Sequence, residues 1–239
     1  MRDQKSHSRL RVGVVGGGPV GVVLGQALAG AGHLLVGIHA TSEANLERID
    51  ALLPSVPVQT IEEVLQAADL VLLAIPEAEI VASVAGWAQL GLFKPGQLLV
   101  HTAPGLGYSE VAAAAGPTII PLALHPAMRF TGTSLDAARL REAYFAVTAP
   151  AIALPIGEAL VLEMGGEPVV VAEADRASYA EAIGVAQSFS ALVVNQAIGL
   201  LNDINLLPAR ELLGTLVRSS VEHALADGHQ DINPNAVED

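Results

Sequence analysis

The chain has 239 residues, enough for one large α/β domain or two smaller ones, and no cysteine, which excludes disulfides and thiolate metal sites. Hydrophobic residues make up 51% and aromatics only 3%, so the core must be built from Ala, Val, Leu and Ile, as in parallel strands covered by helices. A formal net charge of −13 argues against a nucleic-acid surface, and the partner expected is a small molecule.

From Val12 to Ser42 there is no Asp, Glu, Lys or Arg. That stretch is long enough to span a bilayer, and Ala27-Leu28-Ala29 has the small-x-small form of a signal cleavage site. Gly16-Gly17-Gly18 followed by Pro19 opposes both readings, because it would break a spanning helix near its start. A nucleotide-binding turn explains every one of these residues. Arg11 to Val15 is a short apolar strand, and Gly16-x-Gly18-x-x-Gly21 follows it directly. The first glycine permits the tight turn, the second lets backbone approach a pyrophosphate, and the third lets helix and strand pack closely. Pro19 falls in the first helical turn beside Val20, where its missing N–H is harmless. Gly32 reads as the helix C-cap and residues 33–38 as the second strand.

The second strand ends in Ile38-His39-Ala40-Thr41-Ser42, with no acid before Glu43. An NAD site usually carries Asp or Glu there, so the hydroxyls of Thr41 and Ser42 favour NADP over NAD, although no arginine stands beside them in the sequence. The alternative is that Thr41 and Ser42 only cap the next helix, expected over residues 43–53. Val58-Gln59-Thr60 reads as a short strand, residues 62–65 as helix, and 69–76 as a buried strand whose end, Ile75-Pro76, should face the cofactor. Residues 77–92 read as helix, 98–100 as a strand running into His101-Thr102-Ala103, and 117–124 as a strand ending at His125-Pro126. Tyr144–Val147 and Pro168–Val171 extend the sheet, with a helix between them capped by Gly165-Gly166. From Asp175 the pattern changes to long helices, over 176–201 and from Ala209 to Asp227. The expected division is therefore 1–173, a doubly wound and mostly parallel α/β dinucleotide-binding domain, and 174–239, a small all-helical domain. The seven histidines have no metal-ligand spacing.

HPAMRFTGTSLD, together with GGGPVG, DLVLLAIP and LPIGEALVLEMGGEPVVVAEADR, resembles bacterial Rossmann-like proteins with an uncharacterised helical C-terminal domain. These are similar in architecture to pyrroline-carboxylate reductase, prephenate dehydrogenase and the deazaflavin-dependent NADP reductase. The resemblance implies a Rossmann sheet followed by a helical domain of the 6-phosphogluconate dehydrogenase C-terminal type, homodimerisation through that domain, and NAD(P)-dependent oxidoreduction. It also implies a role for His125 near the nicotinamide, where a His-Pro of prephenate dehydrogenases touches the substrate oxygen. An imidazole can move the proton that accompanies hydride transfer; the alternative is a histidine that only ties down its loop.

The remaining site candidates are positional. Arg129 could bind a substrate carboxylate or pair with a surface acid, with Thr102 and Thr131 as further substrate contacts. Gly16, Gly18, Pro19, Val20, Gly21, Thr41, Ser42, Ile75, Pro76, Thr102 and Ala103 are the cofactor candidates. The substrate class expected is a small carboxylate-bearing carbonyl or imine, in the cytoplasm and away from membranes. The chain departs from the resembling group after Tyr179, where Ala180 stands, and at Ala186-Gln187-Ser188-Phe189. Those departures motivate a second reading, a dinucleotide-binding sensor or scaffold without turnover.

Overall fold

A computed structural model describes residues 10–228. They divide into two compact units, the first ending at Glu181 and the second beginning at Ala182. The first unit is built on seven strands: β1 (Arg11–Val15), β2 (Leu34–His39), β3 (Leu70–Leu73), β4 (Leu98–His101), β5 (Ile120–Pro126), β6 (Tyr144–Thr148) and β7 (Glu167–Val170). Their order in the sheet is β2-β1-β3-β4-β5-β6-β7. All neighbours are parallel except β5 and β6, which are antiparallel. Valine and leucine dominate β1, β3 and β4 without polar alternation, as strands covered on both faces require.

Two apolar layers cover the sheet. Helices α1 (Pro19–Gly30) and α2 (Glu43–Leu52) lie on one face together with α6 (Asp136–Arg139) and α7 (Leu154–Met164), closing a core around Val12, Val14, Leu24, Leu72, Leu122 and Phe145. Helices α3 (Ile61–Ala67), α4 (Glu77–Gln89) and α5 (Ser109–Ala115) lie on the other, over Val15, Val71, Leu73 and Leu99. Each such side chain, fully buried, stabilises the fold by about 1.5–3 kcal/mol. Because β1 lies between β2 and β3, the chain switches direction across the sheet at β1 and β3, and in doubly wound sheets a ligand crevice opens at that point.

Two sequence expectations shift. Residues 58–60 form no strand; only a parallel bridge between Ile38 and Val58 remains, and Thr60 instead caps α3 through a reciprocal pair with Glu63. The strand expected from Pro117 begins at Ile120 and takes in His125 and Pro126. Elsewhere the elements fall close to where the sequence puts them, down to the left-handed Gly165 (φ 90°) that ends α7.

The helix that begins at Arg176 runs to Asp203 as α8 (Arg176–Gly184), a π-helical turn (Val185–Phe189) and α9 (Ser190–Asp203). The second unit holds the later part of this run and α10 (Ala209–Asp227), which ends at Gly228. Phe189, Leu192, Val193 and Leu200 are exposed on the first segment and Leu212, Leu216 and Leu225 on α10. By length and composition the stretch Glu173–Asp203 could also cross a membrane.

Candidate functional site

The β1–α1 turn has the geometry that a bound pyrophosphate needs. Gly16 takes φ +112°, closed to side chains, and a Cβ there would overlap the Ala74 carbonyl at the end of β3. A Cβ on Gly21 would overlap the Gly16 carbonyl oxygen, so this position must stay bare for α1 to start where it does. Gly18, in contrast, has nothing within 4 Å of where its Cβ would be. It caps α1 with extended backbone, Pro19 begins the helix, and no acidic side chain occupies the first turn. Open space at a helix N-terminus with unpaired N–H groups is what an anionic phosphate requires, so the turn fits a dinucleotide.

At the end of β2, Thr41 and Ser42 are exposed. Ser42 is the N-cap residue of α2, yet its side chain makes no capping bond, so its hydroxyl is not committed to the helix. The arginine absent from the local sequence arrives from α2. Arg48 Nη1 donates to the Gly17 carbonyl oxygen at 3.4 Å and to Asn45 Oδ1 at 2.7 Å. Among the described residues it has no acidic partner.

The loop after β5 meets the same turn. Gly132 (φ +73°) backs onto Arg48 and Pro19, where a Cβ would lie 2.5 Å from Arg48 Nε. Its shape comes from Asp136, which is fully buried and accepts from the Thr131 and Gly132 N–H groups at 2.8 Å and from the Thr131 hydroxyl at 2.9 Å. These bonds hold the carboxyl below its usual range against the opposing effect of burial. Thr131, a substrate candidate by sequence, thus spends its hydroxyl on the loop itself, whereas Arg129 is exposed and has no ion-pair partner among the described residues.

Beyond the strand ends, Ile75 is half-buried and Pro76 exposed at the start of α4. Thr102 bonds through its N–H to the Leu73 carbonyl, and Ala103 is buried. His101 and Ala123 stand opposite each other in register, so His125, two residues on, shares their face of the sheet. His101 is fully buried with Nε2 2.9 Å from the Gly107 carbonyl, and burial pushes it down to about 4.

His125 is also mostly buried, 9% exposed, and its Nδ1 lies 2.7 Å from the Tyr179 hydroxyl. No partner to Nε2 occurs among the described residues. Burial, with a smaller push from the Arg176 cation, brings His125 down to about 4, so it is neutral at physiological pH. Tyr179 comes from α8, edge-on to the imidazole with ring centroids 5.5 Å apart.

Three charged side chains fix the β4–α5 loop beside this pair. Arg176, 1% exposed, donates from Nε to the Leu106 carbonyl at 3.1 Å and from Nη2 to the Ala103 carbonyl at 3.0 Å. Glu173 accepts from the Tyr108 and Ser109 N–H groups, and Glu77 from that of Gly105. One cation gathers the loop's carbonyls and two anions gather its N–H groups. Glu173 and Arg176 belong to the AEADR motif, but its spacing gives no hint of partners 64 to 73 residues away.

Comparison with known proteins assigns the two parts of the chain to domain families. Residues 2–126 match the Rossmann-like domain, and residues 143–233 match a domain of unknown function (DUF2520). No curated protein matches the chain by sequence. Among solved structures, a candidate NADP oxidoreductase from Bacteroides fragilis is similar at 17% identity over 97% of this chain and 84% of that one, with a TM-score of 0.76. A 1-pyrroline-5-carboxylate reductase from Streptococcus pyogenes is similar at 18% identity over 96% and 84%, with a TM-score of 0.70. The pyrroline carboxylate reductase of Plasmodium falciparum, solved with NADP bound, is similar at 14% over 91% and 78%, with a TM-score of 0.63. At such identities the likeness is one of fold. By the match over more than half its length, the chain belongs to the Rossmann-like domain family, with a DUF2520 domain following its sheet.

Proposed function

We propose that the protein is an NAD(P)-dependent oxidoreductase acting on a small carboxylate-bearing carbonyl or imine, with His125 as the group that exchanges a proton with the substrate. One observation carries the reading: a neutral, mostly buried imidazole, hydrogen-bonded to Tyr179 through Nδ1, stands at the carboxyl end of β5 on a sheet whose β1–α1 turn is open for a pyrophosphate. Gly16, Gly18, Pro19, Val20 and Gly21 would hold the pyrophosphate, and Ile75, Pro76, Thr102 and Ala103 line the way along the strand ends. When bound, a nicotinamide supplies or takes the hydride. The chain's own residues orient the substrate and move the proton, with Arg129 the proposed carboxylate contact. NADP is the proposed preference, because Thr41 and Ser42 keep uncommitted hydroxyls and Arg48 brings a cation without an acidic partner to the turn.

The exposed leucines and valines of α9 and α10 support a homodimer, since an apolar surface of this kind is covered by a second copy in most small oligomers. The same reading assigns the Glu173–Asp203 stretch to a dimer face in a cytoplasmic protein. Its first turns carry Glu173, Arg176 and Tyr179, all bonded within the first unit.

The experiment is a panel of keto acids and imines incubated with NADPH or NADH and the wild-type protein or His125→Asn. Turnover by the wild type and a loss of about 10²–10⁴-fold in the variant are expected, with dinucleotide affinity unchanged. Dinucleotide binding without turnover on any member would favour the sensor reading.

A further inference from the structure

We propose that Tyr179 is the proton source behind His125, and that Arg176 is the positioning residue whose charge holds the tyrosinate left after transfer. This rests on the oxidoreductase reading above. A neutral imidazole is a poor acid unless the proton leaving one nitrogen is replaced at the other. Nδ1 of His125 has one partner among the described residues, the Tyr179 hydroxyl at 2.7 Å. For Tyr179 to supply a proton its hydroxyl must donate and Nδ1 accept, which leaves the N–H on Nε2, the nitrogen without a protein partner.

The step balances as follows. With the hydride supplied by a reduced nicotinamide, which would itself become oxidised, the C=O electron pair moves to oxygen as the carbon gains hydride, and that oxygen takes the Nε2 proton. Nδ1 takes the proton of Tyr179, and the phenolate remains. Tyr179 is half-buried, so solvent can return the proton once product has left.

A phenolate in that position needs a cation that cannot titrate. The guanidinium carbon of Arg176 lies 5.6 Å from the Tyr179 ring centroid, and Arg176 is pinned by the Leu106 and Ala103 carbonyls. Its Nη1 is buried with no partner, so one donor of a buried cation is not spent on the loop. The other charges around it, Glu173 and Glu77, are engaged by backbone N–H groups of the loop. Burial raises the Tyr179 phenol above its ordinary value and Arg176 works in the opposite direction.

The tautomer of His125 tests the relay without substrate. In the full-length ¹⁵N-labelled protein at neutral pH, with signals assigned by comparison with His125→Asn, Nε2 is expected to carry the proton and Nδ1 to be unprotonated. A proton on Nδ1 would make Tyr179 an acceptor and overturn the relay. Arg176→Gln is expected to raise the Tyr179 titration midpoint by about half a pH unit or more, read from phenolate absorbance by difference against Tyr179→Phe, and Arg176→Lys to leave it near the wild-type value. Equal midpoints in all three proteins would overturn the role of Arg176. A protein that binds dinucleotide but shows the Nδ1–H form loses only the relay, whereas one that binds no dinucleotide loses the oxidoreductase reading whatever its tautomer.

Discussion

Arg48 Nη1 stands 3.4 Å from the carbonyl oxygen of Gly17, so an arginine from the second turn of α2 brings a cation to the β1–α1 turn. A guanidinium there can meet a ribose 2′-phosphate bidentately, while an NAD ribose offers it only hydroxyls.

Substituting Arg48 with Gln is therefore expected to weaken NADPH binding by about 10–100-fold and to change NADH binding by less than about threefold. Fluorescence titration with both reduced dinucleotides measures the ratio. Equal losses for both would mean that Arg48 only props the Gly132 loop against Pro19.

The glycines of the turn separate folding from binding. A methyl on Gly21 overlaps the Gly16 carbonyl, so Gly21→Ala is expected to destabilise the protein by about 1–3 kcal/mol, read as a lower Tm or loss of soluble protein. An unchanged Tm would show that α1 can shift freely against β1.

Acid should weaken the fold before the carboxylates titrate. The native state holds His101 and His125 neutral down to about pH 4, whereas the unfolded chain protonates them near 6.5. Between those values the unfolded state binds more protons, so stability is full above about pH 6.5 and falls as the pH drops toward 4, by on the order of 2–3 kcal/mol per histidine. Denaturant unfolding at several pH values checks this, and His101→Gln is expected to flatten the slope. A stability independent of pH over that window would contradict the burial of both rings.

The apolar faces of α9 and α10 predict a dimer by light scattering on a sizing column, and Leu192→Glu with Leu216→Glu is expected to yield monomer. A wild-type monomer would leave those leucines unexplained.

What was legible in the sequence is what depends on near neighbours. Gly16, Pro19 and Gly21 declare the turn because its strain and its helix start lie within six residues, and Gly165 and Gly228 mark helix ends for the same reason. Of the strand expected at 58–60 only the Val58 bridge to Ile38 forms, because Thr60 is taken up by its reciprocal cap with Glu63. The site is less legible. His125 was visible as a histidine at a strand end, but Tyr179 reaches it across 54 residues, and Arg176 and Arg48 find their carbonyls across 70 and 31. Only the folded sheet brings those groups together. Thr131, a candidate by its place in the loop after β5, donates its hydroxyl to Asp136 five residues on.

On the proposed function, the open backbone at Gly18 would receive the pyrophosphate of a nicotinamide dinucleotide. Isothermal titration of the full-length protein with NADPH and NADH, alongside Gly18→Ala, tests it most directly. Saturable binding by the wild type is predicted, with a loss of about tenfold or more in the variant and a Tm only slightly lowered by the poorer helix cap, because the added methyl meets no protein atom beyond its own chain neighbours within 4 Å and would meet the ligand. Absence of binding by the wild type, or equal binding by both proteins, would exclude Gly18 from a dinucleotide site.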